Sequence, residues 1–436
     1  MHNVGALTGW ALLIVTSIKI LIVFTTIMIT VALLTLAERR VSAWIQDRLG
    51  PNRVGPQGLL QPVADGIKNF IKEETYPAHA SRAYFLLAPT LALVPALMTM
   101  AEVPVAAPLP TRWGLVEMIV ADVPIGILYI LALTGLGVYG IVMAGWSSNN
   151  KYAFLGGMRA SAQMVSYEVA MGMSLIPVFM LAGNVTLTQI VATQQGNGGL
   201  GVWLALPLGL SFFIFVCAAF AETNRLPFDM AEAESELVAG FHSEYSSMKF
   251  SMFPIAEYAG MLTASALMAT LFFGGWDVPI LQFDDMRVVA PGVVMGAAPA
   301  WWKTVITLGM FSVKTLFFCF VYIWVRWTVP RFRYDQIMDL GWKVLLPTAL
   351  AYIMLMGSSI LILDRLGLPY GWKYGLILTV VNLAATAVFM FILDRGRVIR
   401  GSYGGRHMDE VRGRIEKGYV NTVPARREIK TGAGVR

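Results

Sequence analysis

Apolar residues in this chain gather in long unbroken stretches, and nine of them reach span length: about 10 to 37, 84 to 102, 123 to 146, 160 to 183, 202 to 221, 250 to 275, 303 to 325, 343 to 363 and 373 to 394. Apolar runs of roughly 18 residues or more predict helices that cross a bilayer. A lipid-spanning β-barrel would show short alternating segments instead. The pattern therefore predicts an all-α polytopic membrane protein with about nine transmembrane helices. The first run is too long for the apolar region of a signal peptide and lacks a small-residue cleavage site, so it predicts a permanent first helix.

The polar positions between the runs give an independent check, because cytoplasmic connections collect Lys and Arg. Segments 38 to 83, 147 to 159, 222 to 249, 326 to 343 and 395 to 436 hold 26 of the 33 basic residues. An odd number of spans, with the N-terminus outside and the C-terminus cytoplasmic, satisfies that asymmetry. Residues 1–394 then form a helical bundle with cytoplasmic loops 38–83, 222–249 and 326–343. Residues 395–436 are basic, Gly-rich and poor in apolar side chains, which predicts an extended tail or one that folds only on a partner.

Composition sharpens the class. Of 436 residues, 56% are hydrophobic and 14% charged, against roughly 25% charged in ordinary soluble domains. With a mean hydropathy of +0.63, a soluble globular enzyme is excluded. The net charge of +6 fits contact with an anionic inner leaflet and says little about nucleic acid. The two cysteines, Cys217 and Cys319, lie in separate apolar runs, and the four histidines lie outside the runs. Iron–sulfur, structural zinc and bis-imidazole haem sites need such ligands grouped. The expectation is no flavin, haem, iron–sulfur cluster or metal in this chain, and no nucleotide-binding motif is present. Pro177, Pro254, Gly135, Gly137 and Gly140 interrupt spans, as kinks and close helix packing do. The chain shows no internal repeat, which counts against a transporter built from inverted halves.

Four segments carry chemistry. Between Glu38 and Arg82, the run Gly50 to Pro56 contains two Gly-Pro pairs that demand tight turns, and Val63 to Ile71 then offers a short amphipathic helix. This is either a loop at headgroup level or a surface that meets a soluble partner and guides a lipid-borne substrate. Between Glu222 and Glu244 stand six carboxylates, Glu222, Asp229, Glu232, Glu234, Glu236 and Glu244, against the single basic Arg225. Pro227-Phe228-Asp229 could start a helix with Asp229 as cap and Glu232 completing a capping box. Glu232 and Glu236 would then repel at i and i+4. The segment is either a solvated acidic loop or a crowded proton store with raised, coupled pKa values. Glu168 and Glu257 sit inside spans, where an ionisable group is a functional-site candidate unless it snorkels from the helix end. Val329 to Gln336 alternates Arg with aromatics, suited either to holding a polar head or to pairing with the acidic loop.

These segments together resemble a known family. Ala37-Glu38-Arg39, Gly50 to Pro56, Leu60-Gln61-Pro62, Ala64-Asp65, Ser166-Tyr167-Glu168, Ala221 to Arg225, Pro227 to Leu237 and Pro330 to Gln336 are similar, in order and spacing, to the H subunit of respiratory NADH:quinone oxidoreductase, complex I, the quinone-chamber heel of its membrane arm. The resemblance covers about residues 38 to 345. It implies an enzyme subunit without a redox centre of its own, placed in the bacterial cytoplasmic membrane beside other membrane-arm subunits and the soluble subunits that carry the terminal iron–sulfur cluster. It implies quinone as substrate, with Glu38, Arg39, Asp65, Arg225 and Phe228 lining its passage. It implies a proton route through Glu168, Glu222 and Glu257, coupled to the chamber by Asp229, Glu232, Glu234 and Glu236. The ninth span and the tail lie beyond the family's motifs. Membrane-bound hydrogenases and ferredoxin-driven relatives share similar subunits and form the alternative. A stand-alone cation transporter and a bare membrane anchor are weaker readings, because the loops are built for partners and buried acids have no use in an anchor.

Overall fold

The structure is a computed structural model that describes residues 2–3, 9–196, 199–231, 240–279, 281–290 and 293–394. It is dominated by helices: α1 (Trp10–Ile45), α2 (Gln61–Ile71), α3 (Arg82–Met98), α4 (Gly126–Ser147), α5 (Lys151–Ala182), α6 (Leu187–Gln194), α7 (Gly209–Glu222), α8 (Ser247–Phe272), α9 (Trp301–Thr328), α10 (Tyr334–Asp339), α11 (Leu346–Arg365) and α12 (Trp372–Asp394). A short π-helical turn, Leu340–Leu345, joins α10 to α11. Eight helical stretches among the described residues are long and apolar enough to cross a membrane. The run expected over 202 to 221 folds as α7, whose 14 residues fall short of the roughly 20 that a bilayer core takes up.

The all-α expectation needs one correction. The chain also forms short strands: β1 (His2–Asn3), β2 (Ala106–Thr111), β3 (Gly114–Met118), β4 (Met286–Ala290) and β5 (Val293–Gly296). β2 and β3 pair as an antiparallel hairpin, and a second antiparallel sheet has the order β1-β5-β4. The hairpin and the β4–β5 pair lie in connections between long helices. A connection of that length must find partners for its own N–H and C=O groups, and local pairing supplies them. Helical apolar periodicity carries no signal for this.

Helix α8 is the centre of the bundle. Within its most apolar window 72% is buried, against 11% in the last helix. The core gathers Tyr167 and Leu175 from α5, Ile214 and Phe215 from α7, and Leu267 and Phe272 from α8. Leu13, Leu21, Ile22 and Phe24 of α1 and Val380, Leu383 and Phe391 of α12 are exposed, as a lipid-facing or partner-facing surface requires. Gly140 lets α4 approach α3, since a Cβ there would stand 2.7 Å from the Ala92 nitrogen. Gly140 thus packs as closely as a span glycine can, whereas a Cβ at Gly137 would meet nothing within 4 Å.

Candidate functional site

The Gly-Pro run turns as its sequence demands. Gly55 has φ 72° and Gly58 has φ 78°, the left-handed region that glycine enters without penalty. The turn delivers the chain into α2, whose Val63, Ile67, Phe70 and Ile71 are exposed and form the apolar side of an amphipathic helix. Asp65 of α2 receives Arg39 Nη1 of α1 at 2.6 Å and Gln61 Nε2 at 3.1 Å. With Arg39 half exposed, this pair ties the surface helix to the end of the first span.

One residue earlier, Glu38 turns inward. It is buried and accepts hydrogen bonds from three directions: Arg225 Nη1 at 3.3 Å, Tyr258 Oη of α8 at 2.6 Å, and Arg326 Nη1 of α9. The Arg225 guanidinium also lies 4.2 Å from the centre of the Tyr258 ring. A buried carboxylate needs such charge-assisted partners, and a guanidinium supplies them in fixed geometry. Burial opposes the charge on Arg225, but Tyr258 and Glu38 outweigh it and hold its pKa above the usual arginine value.

Arg225 is placed by the segment after α7. Gln163 of α5, wholly buried, donates from Nε2 to the carbonyls of Ala221 and Phe228, both at 2.7 Å. Asn224 adopts φ 50°, a conformation asparagine tolerates better than most residues. Phe228 packs between the rings of Tyr167 and Phe332, with centroids 5.4 and 5.6 Å away, so its side chain acts as core. Asp229, also buried, meets Arg331 Nη2 at 2.6 Å, and the Phe332 amide donates to the Pro227 carbonyl at 3.3 Å. Of the two readings of the Arg/aromatic segment, pairing with the acidic loop is what Arg331 does. Glu232, Glu234 and Glu236, together with the expected helix start after Asp229, lie outside the described residues, as does the tail from 395.

Two cavities meet here. A polar one of about 160 Å³ is lined by Asn224, Arg225, Leu226, Asp229, Pro254, Glu257, Tyr258 and Arg326. A mostly apolar one of about 110 Å³ is lined by residues that include Thr134, Gly137, Glu222, Asn224, Glu257 and Thr263. Asn224 and Glu257 belong to both walls. Glu222 Oε1 is buried and has no hydrogen-bond partner among the described residues. Glu168 stands near enough for its charge to act on Glu222, and it occupies the space left by Gly135, where a Cβ would lie 2.9 Å from Glu168 Oε1. Glu168, Glu222 and Glu257 are thus brought to one side of the bundle, around α4, α5, α7 and α8.

Sequence reasoning did not single out Arg326, Tyr258 or Gln163. Arg326 falls at the start of the basic segment 326 to 343, whereas the helix runs on to Thr328 and holds it in its last turn. Gln163 carries no mark, because a neutral amide in a helix is ordinary until the carbonyls it serves are known.

A family profile described as NADH dehydrogenase matches residues 18–357. The H subunit of NADH-quinone oxidoreductase from Leptospira biflexa serovar Patoc is 48% identical over 353 residues, covering 79% of this chain and 94% of the relative. The H subunit numbered 2 of the same enzyme in Geobacter sulfurreducens is 47% identical over 339 residues, 78% of this chain and 94% of the relative. NADH-quinone oxidoreductase subunit 8 of Rhodothermus marinus is 45% identical over 350 residues, 79% and 97% respectively. Identity at this level over nearly the whole of each relative, on a membrane bundle with the buried acids just described, places the chain in the family of NADH-quinone oxidoreductase H subunits.

Proposed function

We propose that this chain is the membrane subunit that forms much of the quinone chamber of a proton-pumping NADH:quinone oxidoreductase and supplies its first acidic stretch toward the membrane. The observation that carries this reading is the shared wall of the two cavities. Glu257 and Asn224 face both the polar cavity around Arg225 and the apolar cavity around Glu222. Reducing a quinone places negative charge in a poorly solvated chamber and raises the proton affinity of nearby carboxylates, on the order of a few pKa units at most. Carboxylates on both sides of one thin wall can relay that change inward.

In this reading Glu38, Arg39, Asp65 and Arg225 border the quinone's route, with Phe228 as a packed support. Glu168, Glu222 and Glu257 form the beginning of the proton route, and Asp229, with Glu232, Glu234 and Glu236, couples the two. Electrons reach the quinone from a cluster in a soluble partner, and this chain supplies no redox group. The short α7 joins the eight long helical stretches as a ninth span in a bundle of residues 1–394, with loops 38–83, 222–249 and 326–343 cytoplasmic, the N-terminus outside and the tail 395–436 inside. The membrane is the bacterial cytoplasmic one. The hydrogenase alternative is not favoured, since each relative named above is an NADH-quinone oxidoreductase subunit.

The test is isolation of the tagged chain from its native membrane in mild detergent. Flavin and iron–sulfur partners together with inhibitor-sensitive NADH:quinone activity are expected. Within that complex, Asp65→Asn should disturb quinone reduction, and Glu222→Gln should lower reduction and pumping together. A chain that purifies alone and moves ions in vesicles overturns the reading.

A further inference from the structure

At the other end of α8, away from the site above, three aspartates converge. Asp277, Asp284 and Asp285 are all buried, Asp284 completely, and one carboxylate oxygen from each lies within 4.8 Å of the others. They belong to the connection between α8 and β4, and none has a role in the quinone reading.

Lys314 of α9 stands near Asp277 and Asp284, and its hydrogen bonds are spent on carbonyls. Its Nζ donates to the carbonyls of Phe273 at 2.7 Å, Gly275 at 3.0 Å and Asp277 at 2.6 Å. An ammonium has three donors, so none remains for a carboxylate. Trp203 Nε1 donates to Asp277 Oδ2 at 3.0 Å, and the Val278 amide donates to Asp284 Oδ2 at 2.7 Å. Asp284 Oδ1, in a wholly buried side chain, has no hydrogen-bond partner among the described residues. A buried carboxylate oxygen left without a donor is a large desolvation penalty unless something positive faces it.

Donor chemistry gives the second half of the argument. The donor set is oxygen alone, as hard cations require, and irregular loop carboxylates suit calcium better than the strict octahedron of magnesium. Oxygens bound to calcium stand about 2.3–2.6 Å from the ion, hence up to about 5 Å from one another, and these three lie within 4.8 Å of one another. We propose that Asp277, Asp284 and Asp285 bind a calcium ion that fastens the connection after α8 to the start of β4. The scarcity of thiolates and imidazoles, which excludes soft-metal centres, leaves an all-carboxylate site open.

The experiment uses the intact purified complex, with calcium and terbium as probes. Trp203 touches a proposed ligand directly, so terbium bound there should emit on tryptophan excitation, and added calcium should quench that emission. Asp284→Asn should lower calcium affinity at least tenfold, read as calcium content after dialysis at fixed free calcium. Equal calcium in the wild-type and Asp284→Asn complexes would overturn the proposal. If the aspartate variant does not assemble, the wild-type complex still decides: no calcium-competed terbium emission means that the aspartates hold protons and not a metal.

Discussion

Asp229 and Arg331 stand 2.6 Å apart although 102 positions separate them, and their pairing joins the segment after α7 to the segment before α10. Asp229 is nearly enclosed, while the Arg331 side chain is 31% exposed, so solvent weakens the pair from one side. A coupling of about 1 kcal/mol follows, between the exposed and buried extremes. Asp229→Asn and Arg331→Gln should each lower the thermal midpoint of the purified complex by a few degrees, and the double variant should fall short of their sum. Strict additivity would show that the two side chains do not support each other.

Glu38 is a harsher case because two guanidiniums depend on it. Glu38→Gln keeps the volume and removes the charge, leaving Arg225 and Arg326 facing each other with little solvent. Breaking a buried pair in this way costs about 3–5 kcal/mol. The expected outcome is reduced assembly on a native gel and, in whatever complex forms, quinone reduction lowered by about tenfold or more, since a displaced Arg225 reshapes the polar cavity. Full activity in an assembled Glu38→Gln complex would remove Glu38 from the chamber.

The bundle was legible because long apolar runs are a one-dimensional signal that needs no knowledge of partners. The site was legible only in part. Glu168 and Glu257 stood out because a charge inside an apolar run is costly wherever it folds, and Glu222 and Arg225 because carboxylates crowd around a single arginine, whereas Glu38 and Asp65 were marked only by the family resemblance. What each one meets was hidden. Glu38 and Arg326 are 288 residues apart, and no local pattern says that an arginine near the end of one helix will face the end of the first. Phe228 was hidden in the same way: its ring packs between Tyr167 and Phe332, a contact that no spacing in the sequence announces. The strands were missed because pairing within a connection depends on turn geometry at a few residues such as Gly114, at φ 137°.

The last helix, mostly exposed, is anchored through Asn382. This residue of α12 accepts from the Leu210 amide at 3.1 Å and from Tyr352 Oη of α11 at 2.9 Å, and its Nδ2 donates to the Leu206 carbonyl at 2.9 Å. It thereby satisfies one of the unpaired amides at the start of α7. Asn382→Leu should leave that amide and the Leu206 carbonyl without their Asn382 partner and cost about 1–3 kcal/mol. Increased protease cleavage at the 366–371 connection, with NADH:quinone activity nearly unchanged, is the expected result. If activity falls as far as stability, α12 has a part in the reaction.

Two glycines two positions apart on α4 separate the proposed proton route from simple packing. A Cβ at Gly135 would meet Glu168 Oε1 at 2.9 Å, whereas a Cβ at Gly137 meets nothing within 4 Å. Both Gly→Ala changes favour the helix by about 1 kcal/mol, so neither should harm assembly. Only Gly135→Ala must push a carboxylate aside, and the displaced atom is the free end of a side chain, which moves without disturbing the backbone. In vesicles, Gly135→Ala should lower the proton gradient built per NADH oxidised, and Gly137→Ala should leave that ratio at the wild-type value. Wild-type ratios in both variants would mean that the position of Glu168 does not matter to pumping. An equal loss in both would assign the effect to the cavity that Gly137 lines together with Glu222, because a methyl group there narrows the space without touching Glu168.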